Sequence, residues 1–220
     1  MLRKLVYCLA AGIVALPVLA PSERVSDYVN PIIGTNGMGH TFPGACVPFG
    51  LVQLSPDTDT IPHNVNGEYQ KDAYKYCAGY QYSDPTIVGF SHTHLSGTGH
   101  SDLGDILIMP ATGELKLNPG RASHPEEGYR SRYSHATERV SAGYYEVKLD
   151  DYGVKAQLTA TPRVGVHKYT FPAATDGHLV LDLTHGIYNY DGKVLWANLR
   201  VENDTLPVSY THLTLPTILL

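Results

Sequence analysis

Apolar and polar residues alternate most clearly in "YYEVKLDDYGVKAQLTAT", residues 144–161. Tyr145, Val147 and Leu149 oppose Glu146, Lys148 and Asp150; after Asp151-Tyr152-Gly153 the pattern resumes, with Val154, Ala156 and Leu158 opposing Lys155, Gln157 and Thr159. A period of two with a glycine-containing break predicts a hairpin with one dry face. "RVGVHKYTF" (163–171) and "HLVLDLTH" (178–185) read as further strands, separated by the turn-rich 172–177. "CVPFGLVQLSP" (46–56) and "GDILIMPATGELKL" (104–117) read as shorter ones, their prolines marking ends or edges. No amphipathic helix stands out beyond the N-terminal segment, and no repeat recurs at a fixed period. The pattern therefore predicts an all-β chain, a two-layer antiparallel β-sandwich over residues 24–208.

Composition sharpens this picture. The 220 residues include 16 tyrosines and 21 glycines, which favours strands, turns and aromatic-lined surfaces. A net charge of −5 with no basic cluster gives no footprint for nucleic acid. The opening "MLRKLVYCLAAGIVALPVLAP" places Arg3 and Lys4 before an apolar run that Pro17 interrupts, the layout of a signal peptide over residues 1–20. It is too short for a membrane span, so the expectation is an exported chain, periplasmic or extracellular, with no membrane attachment after cleavage. Loss of Cys8 with the leader would leave Cys46 and Cys77, open to a disulfide or to two separate thiols. The end, "SYTHLTLPTILL" (209–220), breaks off the strand pattern and resembles translated sequencing-adaptor read-through, so it is expected to be a non-native tail.

The chemistry concentrates in "GFSHTHLSGTGHSDLGD", residues 89–105, with three histidines and two aspartates among serines, threonines and glycines. An extended segment would point His92 and His94 to one face, and His100 folding back would complete a three-nitrogen zinc site with an open position. Ser91 or Ser96 beside an imidazole could be a nucleophile, but neither sits in a Gly-x-Ser-x-Gly elbow. Gly97 and Gly99 lack the remaining elements of a phosphate cradle. A sugar pocket would use the same imidazoles, hydroxyls and carboxylates as hydrogen-bonding partners. A polar loop that satisfies its own backbone is the remaining reading. Asp102 and Asp105 have the spacing of turn-capping residues more than of an acid/base pair, and Glu126-Glu127 beside Pro125 reads as a solvated turn.

Several long stretches, in one order, carry a family resemblance: "DYVNPIIGT" (27–35), "GHTFPGACVPFGLVQLSPDT" (39–58), "CAGYQYSD" (77–84) and "GFSHTHLSGTGHSDLGDILIMP" (89–110). With "YSHATERVSAGYYEVKL" and "TATPRVGVHKYTF" they resemble the N-terminal β-sandwich of glycoside hydrolase family 92. The resemblance implies an exported, calcium-dependent exo-α-mannosidase acting on mannose-terminated glycans. In that family the sandwich packs on a larger α/α-barrel, the sugar lies between the two, and the acid and base of an inverting mechanism belong to the barrel, leaving none in this chain. Calcium prefers oxygen ligands, which favours sugar-binding or interface roles over zinc for His92, His94 and His100. Ser96 and Asp102 join them as expected substrate-binding groups. Members selective for α-1,2-linked mannose carry a tryptophan before the Cys-x-Gly-Tyr motif; here Tyr74 of "DAYKYCAGYQY" stands nearest, able to stack on a sugar ring. Trp196, the single tryptophan, reads as a core strand residue. A free-standing carbohydrate-binding sandwich and a three-histidine metal hydrolase are the competing functional classes.

Overall fold

The alternation of residues 144–160 is realised position by position in the computed structural model, which describes residues 23–97, 103–173, 176–187, 193–200 and 208–212. The leader, His100, Asp102 and residues 213–220 lie outside the described residues. In chain order the strands are β1 (Ala45–Cys46), β2 (Gln53–Asp57), β3 (Asn64–Val65), β4 (Glu68–Tyr69), β5 (Thr86–Ile87), β6 (Gly89–Ser91), β7 (Leu107–Thr112) and β8 (Ser131–Arg132). They continue as β9 (Arg139–Ser141), β10 (Tyr144–Leu149), β11 (Val154–Ala160), β12 (Gly165–Thr170), β13 (Gly177–Asp182), β14 (Val194–Leu199) and β15 (Val208–His212). Helical structure among the described residues is confined to three short 3₁₀ turns, Val25–Tyr28, Lys71–Tyr76 and Pro125–Glu127.

Two antiparallel sheets form the layers, one ordered β1-β2-β6-β7-β13 and one ordered β12-β11-β10-β9. The predicted hairpin is β10–β11, with Tyr145 opposite Leu158, Val147 opposite Ala156 and Leu149 opposite Val154. All six are buried, while Lys148 and Lys155 face outward. They meet Leu54, Phe90, Leu107, Met109 and Val180 of the other sheet in one continuous core. Phe90 lies at its centre, with ring centroids 6.5 Å from Tyr145 and 6.2 Å from Tyr169. Non-directional burial of these side chains is the main force holding the layers together, each contributing about 1.5–3 kcal/mol.

The structure decides three points that the sequence raised. Pro56 and Pro110 do not mark strand ends but lie within β2 and β7, opposite Phe90 and Leu179. β1 pairs with β2 only through Leu54 and Gln53, and β6 pairs with β7 only at Ile108, so each proline occupies a position where one neighbouring strand has already run out. A missing N–H costs nothing there. Trp196 is in a strand, β14, yet is 53% exposed, because β14 forms a two-stranded ribbon with β15 instead of joining either layer. That ribbon carries strand pairing into the C-terminal segment, Asn198 opposite Ser209 and Val194 opposite His212. Cys46 and Cys77 are not bridged: Cys46 is half-buried on β1, and Cys77 is buried in a satellite cluster with Ala73 and Ile187.

Candidate functional site

β6 ends at Ser91, and the chain then leaves the sheet as a loop pinned by Thr93, whose hydroxyl donates to Asp105 Oδ2 (2.8 Å) and accepts from the Gly104 and Asp105 amides (3.1 and 2.9 Å). Past the end of β6, His92 and His94 diverge instead of sharing a face, and they enter separate networks.

His94, 2% exposed, is held at three points. Its amide donates to Gln53 Oε1, Nδ1 faces Gln53 O at 2.7 Å, and Nε2 faces Asp57 Oδ1 at 2.8 Å. Both ring nitrogens are engaged, and Nε2 also lies 3.2 Å from the Ser91 hydroxyl, so the ring bridges Gln53 and Asp57. The second Asp57 oxygen receives His185 Nε2 at 2.8 Å. Burial alone would raise the Asp57 carboxyl, but the His94 charge and the hydrogen bonds from His185 and His94 outweigh it and hold it well below the usual range. Gly79, at φ +81°, packs against this pair; a Cβ there would collide with Asp57 Oδ1 and lie 3.0 Å from the His94 ring. The glycine of "CAGY" is thus required by close approach as well as by conformation. His185 O accepts from the buried Lys193 ammonium (3.0 Å), which also pairs with Asp105 (3.1 Å), so the two aspartates are joined through one buried polar network.

His92 turns the other way. Its Nδ1 donates to Ile106 O (2.7 Å), leaving Nε2 to accept from His167 Nε2 (3.0 Å); His167 Nδ1 in turn accepts from the Tyr169 hydroxyl (2.7 Å). Such a chain closes only with both rings neutral. Burial depresses both, and the neighbouring His92 adds to the effect on His167, which falls to about 3.

Above the buried layer, His40 and Gly97 exchange contacts: the Gly97 amide donates to His40 O (2.8 Å), and His40 Nδ1 to Gly97 O (3.1 Å). His40 has φ +53° and meets Tyr74 edge-to-face at 4.6 Å. Strained backbone of this kind persists where the surroundings over-determine it. Tyr74 is half-buried against the Cys77 and Ile187 cluster, and Ser96 is exposed on the loop. The surface formed by residues 39–41, Tyr74 and 95–97 is therefore where described groups of this region meet solvent, whereas His94 and Asp57 support it from below.

A family model described as the glycosyl hydrolase family 92 N-terminal domain matches residues 28–214. The chain belongs to glycoside hydrolase family 92. A family 92 α-mannosidase of Bacteroides thetaiotaomicron, BT3965, solved in complex with mannoimidazole, is 46% identical and superposes with a TM-score of 0.73, covering 83% of this chain and 22% of that one. The inverting mannosidase BT2199 of the same organism is 28% identical with a TM-score of 0.53, covering 73% of this chain and 20% of its own. An uncharacterised secreted glycosidase of Arthroderma benhamiae is 27% identical over 213 residues, 94% of this chain and 26% of the relative. The chain thus spans about a quarter or less of the length of the relatives it matches.

Of the six residues expected to bind sugar in this family 92 domain, Tyr74 and Ser96 reach the surface, His94 lies beneath it, His92 lies between the sheets, and His100 and Asp102 fall outside the described residues. Sequence reasoning missed Asp57, His185, Gln53 and His40. Asp57 carried one available signal, a carboxylate in the otherwise uncharged run "GLVQLSPD", where burial demands a charged partner.

Calcium does not fit the described residues. The two most enclosed carboxylates, Asp57 and Glu138, are occupied by imidazole and phenol donors, and no cluster of three or more His, Cys, Asp or Glu among the described residues could hold a metal ion.

Proposed function

We propose that this chain is the N-terminal part of an exported exo-α-mannosidase that removes terminal mannose from glycans with inversion and calcium assistance, its sandwich completing the sugar pocket. The observation that carries this reading is the 46% identity, across 83% of the chain, to an α-mannosidase solved with mannoimidazole. The secreted relative and the basic-then-apolar leader support export, and the likeness to an inverting mannosidase supports the stereochemistry.

Within this reading the domain binds and positions. Tyr74 offers a ring face to a sugar, and Ser96 offers a hydroxyl. The buried His94–Asp57–His185 set fixes the loop that presents them, so that little conformational freedom is lost on binding. An inverting pair of carboxyl groups must stand about 6.5–9.5 Å apart with a water between them. The enclosed carboxylates of this chain are committed to other donors, which supports a reading in which acid, base and calcium lie outside these residues, on the α/α-barrel that the family resemblance implies. Calcium, when bound there, would supply positive charge to vicinal sugar hydroxyls.

The test is to express the full reading frame of the source gene and follow methyl α-mannobiose cleavage by NMR. We expect release of β-mannose first, lost on chelation and restored by calcium, and no turnover by the 220-residue chain alone. Release of α-mannose first would exclude inversion; turnover by the short chain would place the catalytic carboxyls within it.

A further inference from the structure

We propose that the cavity bounded by Asn30, Ile32, Tyr82, His135, Glu138 and Val140 is a second, non-catalytic binding site for a single neutral pyranose ring. Its volume, about 250 Å³, lies below the roughly 300–1,000 Å³ of sites for drug-sized ligands and leaves room for one sugar ring, not a chain.

One wall is a preset aromatic platform. The Tyr82 and His135 rings stack at 3.8 Å and 8°. His135 Nε2 is fixed to Tyr82 O (2.8 Å) and Nδ1 to Glu138 Oε2 (2.6 Å). Both nitrogens are engaged, so the ring is fixed in place and lies flat on the tyrosine. The platform is anchored to backbone at one end and to a carboxylate at the other, and a ligand pays little to order it.

The polar groups are placed for hydroxyls. Glu138, whose side chain is 3% exposed, takes the Tyr80 and Tyr145 hydroxyls on Oε1 at 2.9 and 2.6 Å. Oε2 holds His135 and a longer contact to Tyr80 at 3.2 Å. A carboxylate has about four acceptor positions, and each Glu138 oxygen already meets two donors, so this group fixes the wall of the cavity instead of offering a free acceptor. At the rim Asn30 uses Oδ1 to cap the Ile32 amide (3.0 Å), which leaves its Nδ2 donors for a ligand oxygen. The Tyr82 hydroxyl makes no hydrogen bond among the described residues. Ile32 and Val140, both half-buried, supply apolar contact. An apolar C–H face with a hydroxyl-bearing edge is what such a cavity complements. The carboxylate disfavours an anion, and its oxygens already meet donors, so a cation gains little.

The test is an NMR titration of the 220-residue chain, carrying Phe49→Ser and Leu51→Ser to keep it dispersed, with methyl α-D-mannopyranoside and, separately, methyl β-D-glucopyranoside. We expect saturable millimolar binding of at least one, with shifts at Tyr82, His135 and Val140. Tyr82→Ala, which keeps the backbone carbonyl that holds His135, should weaken binding by at least about tenfold, and Tyr82→Phe by less. Asn30 is exposed, and Asn30→Ala, which cannot unfold the core, should weaken binding in a folded chain. Tyr74→Ala should leave these shifts unchanged. No saturation by either sugar, or binding that ignores both Tyr82→Ala and Asn30→Ala, would overturn the proposal. Shifts confined to Tyr74 would overturn it while leaving the mannosidase reading intact, and a failure of mannoside hydrolysis in the longer protein would leave this site standing.

Discussion

At the scale of single residues, Asp57 concentrates the most consequence. It is fully buried between two imidazoles, His94 Nε2 on one oxygen and His185 Nε2 on the other, and its negative charge is balanced there. Asp57→Asn would remove that balance and present an amide donor to rings that already donate. Breaking a buried pair in this way costs about 3–5 kcal/mol, and in a domain of this size we expect the melting temperature to drop by about 10 °C, measured by circular dichroism. The native pairing holds the Asp57 carboxyl below its ordinary value. Its contribution to stability is therefore complete above about pH 4 and lost as pH falls below that. Asp57→Asn should accordingly flatten the acid limb of a stability–pH curve below about pH 4 as well as lower its plateau. None of this was legible from the sequence around the histidines. The partners of His94 lie 41 and 37 positions away, on β2, and local spacing carries no information about them.

At the scale of elements, the two histidines facing each other between β12 and the end of β6 should produce a separate, earlier effect of pH. In the unfolded chain each titrates near 6.5. In the native chain both are depressed, His167 to about 3. Between those values the unfolded state binds more protons, so stability is full above about pH 6.5 and declines as pH falls toward the native value. The expected loss is about 3 °C of melting temperature per pH unit for one ring. His167→Gln, which offers an amide in place of an imidazole, should reduce this slope while leaving the limb below about pH 4 in place; an unchanged slope would mean the rings titrate freely. The strands themselves were largely readable: β10, β11, β12 and β13 fall where alternation put them, because a period of two is a local property of a half-buried sheet. The placement of His92 and His94 was not, since it depends on where β6 stops. Ser91 is the last residue of β6 paired with β2, and both histidines lie beyond it.

At the scale of the whole molecule, the described surface brings several large apolar side chains together. Phe49, in the left-handed region at φ 58°, is fully exposed, and Leu51, Val164 and Val166 are also open to solvent. Leu51 N donates to Pro162 O at 2.7 Å, which places the 49–51 and 162–164 segments side by side. Contiguous apolar area of this kind promotes association. We expect the 220-residue chain to bind a hydrophobic dye and to elute as aggregates on size exclusion, and Phe49→Ser with Leu51→Ser to reduce both without lowering the melting temperature. Dye binding unchanged by that pair would locate the exposed area elsewhere. The buried link from Asp57 to His185 spans 128 positions, and it sets an order of events during synthesis. Strand β13, which pairs along the length of β7, and the imidazole that follows it are made long after β2 and β6 have left the ribosome. Until they arrive, Asp57 has one of its two donors and β7 lacks its long partner, so the nascent domain should remain vulnerable to proteases and to its neighbours until well past residue 185.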